Sequence, residues 1–351
     1  MPKRSLAAVL LAAFVLVLGI VAAGCGSDNE SSSGGGASNN SQNEKKPIKV
    51  GLVTDIGGLN DRSFNQLANE GLERAKSELG IDGKVLTSKS DADYVPNLSS
   101  LAQQKYDLVI GVGFLMSDAM NTVATKFPDT NFAIIDFSQS ALKGKPANVR
   151  GLLFSEQEAG YLVGYLAGLE VKAKGGDQVI SSVGGQKIPP VDHYIAGYQA
   201  GAEKANPKIK TLNDYSRDFV DQAKCKEIAL NHIAEGAQVV FQVAGQCGLG
   251  ALDAAKEKGV LGIGVDADQG YLGNHILTSA QKKVDVAVFD TVKAVQDGSF
   301  KGGEDQIFDL KNDGVGYGKL NAAGQKYADQ LDKIKQDIVD GKISNIPDTV
   351  K

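Results

Sequence analysis

Residues 48–79, IKVGLVTDIGGLNDRSFNQLANEGLERAKSEL, contain one complete structural sentence. A β-branched apolar run, Ile48 to Thr54, stops at the glycine pair Gly57-Gly58, and a helical pattern follows. Phe64, Ala68, Gly71, Leu72, Ala75 and Leu79 recur at the three- and four-residue spacing of one helix face. Ser63 followed by Gln66 has the form of a capping box and is expected to start that helix. Strand, glycine turn and amphipathic helix make a βα unit.

The unit recurs along the chain. Strand-like runs begin at Lys84 (KVLTSK), Tyr106 (YDLVIGVG), Phe132 (FAIIDF), Val149 (VRGLLF), Gln178 (QVISSVG), Ile209 (IKTLND), Ala237 (AQVVFQVAG), Val260 (VLGIGVD), His275 (HILTS) and Gln306 (QIFDL). Most are continuously apolar rather than alternating, as strands covered on both faces must be, so parallel sheets are expected. A second box, Ser155 to Glu158, precedes a helix carrying Leu162, Leu166 and Leu169. Eleven strands in the 305 residues from Pro47 onward exceed what one open sheet usually holds. Two α/β domains are expected, dividing near Gly151, with a return crossing between Asp266 and Ser279. A (β/α)8 barrel needs eight evenly spaced units without a break and is the weaker alternative.

Ahead of Pro47 nothing resembles a fold. Lys3 and Arg4 precede the uncharged apolar run of residues 5–23, which ends in Ala22-Ala23-Gly24-Cys25. This is the layout of an export signal over 1–24, and it resembles a bacterial lipobox in which the Cys25 thiol is acylated. Residues 26–46 hold a single apolar residue, Ala37, and 15 Gly, Ser, Asn or Gln, so 25–46 is expected to be a lipidated cysteine with a flexible tether. Losing 1–24 removes two cations and no acid, which takes the formal charge from −5 to −7. A general nucleic-acid binder needs a basic face, so that class is disfavoured. Glycine, 42 of 351 residues, has no collagen period, and visible clusters fall at strand ends.

Catalytic patterns are missing from the sequence. Gly111-Val112-Gly113 has no third glycine at dinucleotide spacing, and there is no P-loop, nucleophile elbow or His-Glu-x-x-His. His193, His232 and His275 lack metal spacing, and Asp266 to Gly270 lacks the third acid and the glutamate of a calcium loop. No enzyme, cofactor or metal is expected. Cys225 and Cys247 fall at the same edge of one sheet if each lies near a helix start, and in an exported chain a disulfide is the expected state; two buried thiols are the alternative.

Ligands of open α/β sheets bind beyond the carboxyl ends of the strands. That edge carries Asp55, the segment Gly57 to Asn65, Phe114, Asp118, Asp136, Gly185, Tyr194, Gly245 and Asp266. Carboxylates, amides and aromatics there suit a small polar ligand with a flat ring.

The run from Val50 to Ala75 also resembles the signature of the basic membrane protein family of substrate-binding lipoproteins, the purine-nucleoside receptor type. Matching segments follow in order: GVGFLMSDAM from Gly111, FAIIDF, VGGQKIPPVDHYIAGYQAGA from Val183, VAGQCGLGAL from Val243, IGVDADQG from Ile263 and LTSAQKKVDVAV from Leu277. The resemblance implies a type I periplasmic-binding-protein fold, with two doubly wound parallel-sheet lobes joined by three crossings. The N-terminal lobe would take 47–151 and about 280–303, the C-terminal lobe 152–279 and about 304–351. It implies delivery of a nucleoside, or a similar small polar ligand, to ABC permease subunits by a monomer held to the outer face of the cell membrane through its lipid. A sensor ectodomain is the alternative.

Residue by residue, the resemblance implies that Asp55 meets the base, that Phe64 stacks on it, and that Asp266 and Lys282 hold the ribose hydroxyls. Lys283 is an alternative to Lys282. Asp61 and Asn65 lie in the same matched segment. Asp118 and Asp136 each occupy a matching edge position. For the second stacking aromatic, Phe241, Phe219 and Tyr194 all qualify, with Phe241 favoured by spacing.

Overall fold

The computed structural model describes residues 47–350. The export segment, Cys25 and the tether lie outside the described residues. From Pro47 the chain runs β1 (Lys49–Val53), α1 (Phe64–Leu79), β2 (Asp82–Leu86), α2 (Tyr94–Gln103), β3 (Leu108–Gly111), α3 (Ser117–Lys126), β4 (Asn131–Ile135) and β5 (Val149–Phe154). It continues through α4 (Glu156–Lys174), β6 (Val179–Gly184), α5 (Pro189–Ala205), β7 (Lys210–Tyr215), α6 (Gln222–Ala234), β8 (Ala237–Val243), α7 (Gly245–Lys258), β9 (Leu261–Asp266) and β10 (Ile276–Lys282). The last elements are α8 (Val284–Gln296), β11 (Glu304–Phe308), β12 (Val315–Tyr317), α9 (Ala322–Gln325) and α10 (Ala328–Val339).

Two six-stranded sheets result, in the orders β11-β5-β4-β3-β1-β2 and β12-β10-β9-β8-β6-β7. Only β12 is antiparallel, against β10. Val50, Leu52, Leu108, Ile110, Ala133 and Ile135 on central strands are fully buried, which is what continuous apolar runs require when helices cover both faces. The chain passes between the sheets three times, after β5, after β10 and after β11.

Two expected boundaries shift. QIFDL, assigned to the second lobe, forms β11 and pairs in parallel with β5 of the first sheet. Its Phe308 ring stacks on Phe154 at 5.0 Å, so apolar contact and the free edge of β5 both hold it there. The third passage therefore follows Phe308 instead of preceding residue 304. Likewise β10 runs in the second sheet to Lys282, so the return passage follows Lys282 and does not fall between Asp266 and Ser279. The short β12 was not foreseen, because three residues carry too little pattern.

Both expected capping boxes are absent. Neither Ser63 nor Ser155 makes a side-chain cap. Asp61 takes over at α1: its carboxylate accepts the amides of Ser63 (3.1 Å), Asn65 (2.7 Å) and Gln66 (3.1 Å). That frees the Ser63 hydroxyl for a longer reach, described below.

Much of the glycine serves packing between helices and not only strand ends. A Cβ at Gly164 of α4 would sit 2.0 Å from the Tyr198 carbonyl oxygen of α5, and one at Gly201 of α5 would sit 2.0 Å from that of Tyr161. The two helices touch backbone to backbone. Gly164→Val is expected to destabilise the protein by about 1–3 kcal/mol or more through overpacking, measured by denaturant unfolding; an unchanged midpoint would contradict this close approach.

Candidate functional site

The carboxyl ends of both sheets face one cleft. Asp55 follows β1, Gly113 and Phe114 follow β3, and Asp136 follows β4, all on one wall. Gly245 follows β8, Asp266 closes β9 and Lys282 closes β10 on the other, joined by Tyr194 of α5 and by Phe219. Asp136 and Asp266 both have left-handed backbones, φ 68° and 58°. That conformation is costly for most residues and more readily adopted by Asp, and here it turns two carboxylates at strand ends into the cleft.

The first wall is built on Asp55. Its Oδ1 accepts from the Gly57 amide (2.8 Å) and from Asn65 Nδ2 (2.7 Å), while Asn65 Nδ2 also donates to Asp61 (3.1 Å). Gly113, at φ 114°, lies against the other Asp55 oxygen and the Phe64 ring, where a Cβ would fall 3.2 and 3.4 Å away. Bare backbone there leaves the carboxylate and the ring face open to the cleft.

The second wall centres on Lys282, which is 2% exposed. Its Nζ lies 2.7 Å from the Asp136 carboxylate and 2.9 Å from Glu156 Oε1, and 5.0 Å from the centre of the Phe64 ring. Asp266 accepts from the Tyr194 hydroxyl (3.1 Å) and from the Ser63 hydroxyl (2.8 Å). The same Ser63 oxygen lies 3.0 Å from the Val265 carbonyl oxygen, and Gln269 Nε2 donates to the Arg62 carbonyl (3.1 Å). These bonds clasp the first wall to the second, so the cleft is closed.

Burial raises the carboxyls of Asp61, Asp136 and Asp266, against the pull of Lys282 on the last two and of backbone amides on Asp61. Asp55 is pushed up to about 6 by burial, in spite of its bonds from Asn65 and Gly57. A raised carboxyl keeps a proton that the unfolded chain has released, so stability is lost as pH climbs from 3.8 towards about 6. The ligand-free protein is expected to melt at a higher temperature at about pH 5.5 than at about pH 8. Asp55→Asn should reduce that difference; scanning calorimetry giving equal or reversed values would refute the charge assignment.

Of the residues singled out from sequence, Asp55, Asp61, Phe64, Asn65, Asp136, Asp266 and Lys282 line the cleft together. Lys283 does not line it and donates to Gln281 (3.3 Å). Two do not belong. Asp118 lies in the first turn of α3 with its side chain 85% exposed, paired with Lys143. Phe241 is fully buried against Tyr198 and Tyr194, because β8 is a central strand and alternate residues must face its helices. Phe219 and Tyr194 supply the aromatic lining of the second wall instead.

Glu156 was missed. It stands between the Ser155 and Glu158 of the expected box and carries no role in that pattern, yet it is buried and bonded to both Lys282 and His193. Cys225 and Cys247 form a disulfide with Cα atoms 5.5 Å apart, joining the first turns of α6 and α7. Among the described residues there is no cluster of metal-ligating side chains and no helix long and apolar enough to cross a membrane.

A family model described as "ABC transporter substrate-binding protein PnrA-like", Bmp, matches residues 48–349. An uncharacterised lipoprotein of Pyrococcus abyssi is 38% identical, over 92% of this chain and 79% of its own. The ABC transporter nucleoside-binding protein BmpA of Lactococcus lactis is 36% identical, over 98% and 99%. Among solved structures, an ABC transporter solute-binding protein from Aeropyrum pernix superimposes with a TM-score of 0.77 at 29% identity, covering 86% of this chain and 94% of that one.

Proposed function

This chain belongs to the Bmp family of PnrA-like ABC transporter substrate-binding proteins, and we propose that it captures a nucleoside, a purine nucleoside foremost, and delivers it to an ABC permease. The observation that carries the reading is the pairing of walls. An aromatic face (Phe64) with a carboxylate beside it (Asp55) fits a flat heterocycle, and a carboxylate with an ammonium (Asp266, Lys282) fits vicinal hydroxyls. Phe219 or Tyr194 closes on the second face of the ring. The similarity to the Lactococcus nucleoside-binding protein supports the same ligand class. Acylation of Cys25 and the tether would hold the monomer at the outer membrane face, in keeping with relatives named lipoproteins.

The lining also argues against a nucleotide. Lys282 is the one cationic side chain lining the cleft among the described residues, and carboxylates already engage it, while Asp55, Asp61, Asp136 and Asp266 face the same space. A phosphate there would meet like charge, at a cost of several kcal/mol. Calorimetric titration of the purified protein is expected to give binding to purine nucleosides, with affinity falling on the order of a hundredfold or more for the 5′-monophosphates. No heat with any nucleoside, and binding of a sugar or amino acid instead, would replace this ligand with another in the same transport role. A sensor ectodomain is the remaining alternative, and a genetic neighbourhood lacking permease and ATPase genes would favour it.

A further inference from the structure

We propose that Glu156, backed by His193, is the resident counter-ion of Lys282 and fixes the direction of its cleft-facing N–H, whereas Asp136 is a partner that Lys282 gains only when the cleft closes. The inference rests on the nucleoside reading above. Glu156 does not line the cleft, so it acts through Lys282 and is a positioning residue. An ammonium has three donors. Two are taken here by carboxylates 2.7 and 2.9 Å away, which leaves one N–H on a side chain that lines the cleft together with Phe64 and Asp266.

The two carboxylates stand in different relation to the lobes. Asp136 directly follows β4 of the first sheet. Glu156 opens α4, which packs on α5, β10 and β12 of the second body, the same body as Lys282. Glu156 and Lys282 also sit on two of the three passages between sheets, where relative displacement on opening is least. Parting the lobes therefore takes Asp136 away and leaves Glu156 in place. His193 fixes the other Glu156 oxygen: its Nδ1 lies 3.1 Å from Oε2, and its ring is partly exposed. Glu156 is held low: burial alone would raise it, but Lys282 and His193 together outweigh that. Glu156 therefore stays ionised while the cleft aspartates are raised.

The test compares a purine nucleoside with its 2′,3′-dideoxy analogue by calorimetry on the full protein. Glu156→Gln is expected to weaken the nucleoside about tenfold, the equivalent of one charged hydrogen bond, and to leave the dideoxy analogue within about twofold. His193→Ala should act in the same direction, by about threefold, with the same selectivity, and serves if Glu156→Gln does not fold. Equal losses for both ligands would assign Glu156 a merely structural role and overturn the inference. Nucleoside binding unchanged in both variants would overturn it as well. If the parent protein binds no nucleoside, the functional reading fails first, which the same titration distinguishes.

Discussion

Lys282→Met is expected to abolish measurable nucleoside binding and to lower the melting temperature of the ligand-free protein. The side chain is 2% exposed and holds two carboxylates that are themselves buried, Asp136 and Glu156. Breaking a buried ion pair by removing one member leaves the other uncompensated, at a cost of about 3–5 kcal/mol. Here two carboxylates would face each other with no cation between them, so both should take up protons. Acid then relieves the damage: the melting temperature of the variant should approach that of the parent as pH falls from about 8 to about 5. On the binding side, loss of a charged hydrogen bond to ligand hydroxyls costs about 1.5–3 kcal/mol, roughly 10- to 150-fold in affinity, before the weakened closure is added. Thermal melts at two pH values and a nucleoside titration check both halves. A variant that binds as tightly as the parent would remove Lys282 from the site.

Replacing Cys225 and Cys247 together by alanine is expected to destabilise the second body by roughly 3 kcal/mol. That is the chain-entropy value for a closed loop spanning a sequence separation of 22. An effect on binding should accompany it. Phe219 sits on the segment between β7 and α6, ahead of Cys225, and its carbonyl accepts the Cys247 amide (3.0 Å). Its ring packs onto bare backbone at Gly185, where a Cβ would lie only 2.2 Å from a ring atom. The disulfide thus anchors the ends of the two helices that frame this aromatic, and without it Phe219 should be held less firmly over the cleft. Denaturant unfolding should show the stability loss, and titration should show weaker nucleoside binding in the variant at temperatures where it is fully folded. Unchanged affinity would confine the disulfide to stability.

How much of this was legible in sequence follows from what each signal reports. Continuous apolar runs identified the covered strands, because two-sided burial is the pattern's direct cause. They did not give the sheet of β11, since QIFDL carries no mark of its neighbour and only the free edge of β5 and the Phe154 ring decide it. The edge positions Asp55, Phe64, Asp136 and Asp266 were found because strand ends can be counted, whereas Lys282 came only from the resemblance to the basic membrane protein family. Asp118 sits one helical turn past that edge, on an exposed face, where counting no longer predicts direction. Phe241 was misplaced because spacing along the chain does not tell a residue inside a buried strand from one at its end: β8 runs on from Phe241 to Val243, which lines the cleft. Ser63 and Glu156 show a deeper limit. Local pattern assigned Ser63 to a helix cap and gave Glu156, between Ser155 and Glu158, no role, yet both spend their side chains on residues more than a hundred positions away, Asp266 and Lys282. A long-range polar partner leaves no trace in the sequence around either residue.

On the proposed reading, the cleft holds a nucleoside with its ring on Phe64 and its hydroxyls on Asp266 and Lys282. A crystal structure of the protein grown with a purine nucleoside tests it most directly. The expected result is the base stacked on Phe64 within hydrogen-bonding reach of Asp55, and ribose oxygens bonded to Asp266 and to the third N–H of Lys282. A ligand bound elsewhere, or one in this cleft with its sugar against Asp55 and no contact to Lys282, would contradict it.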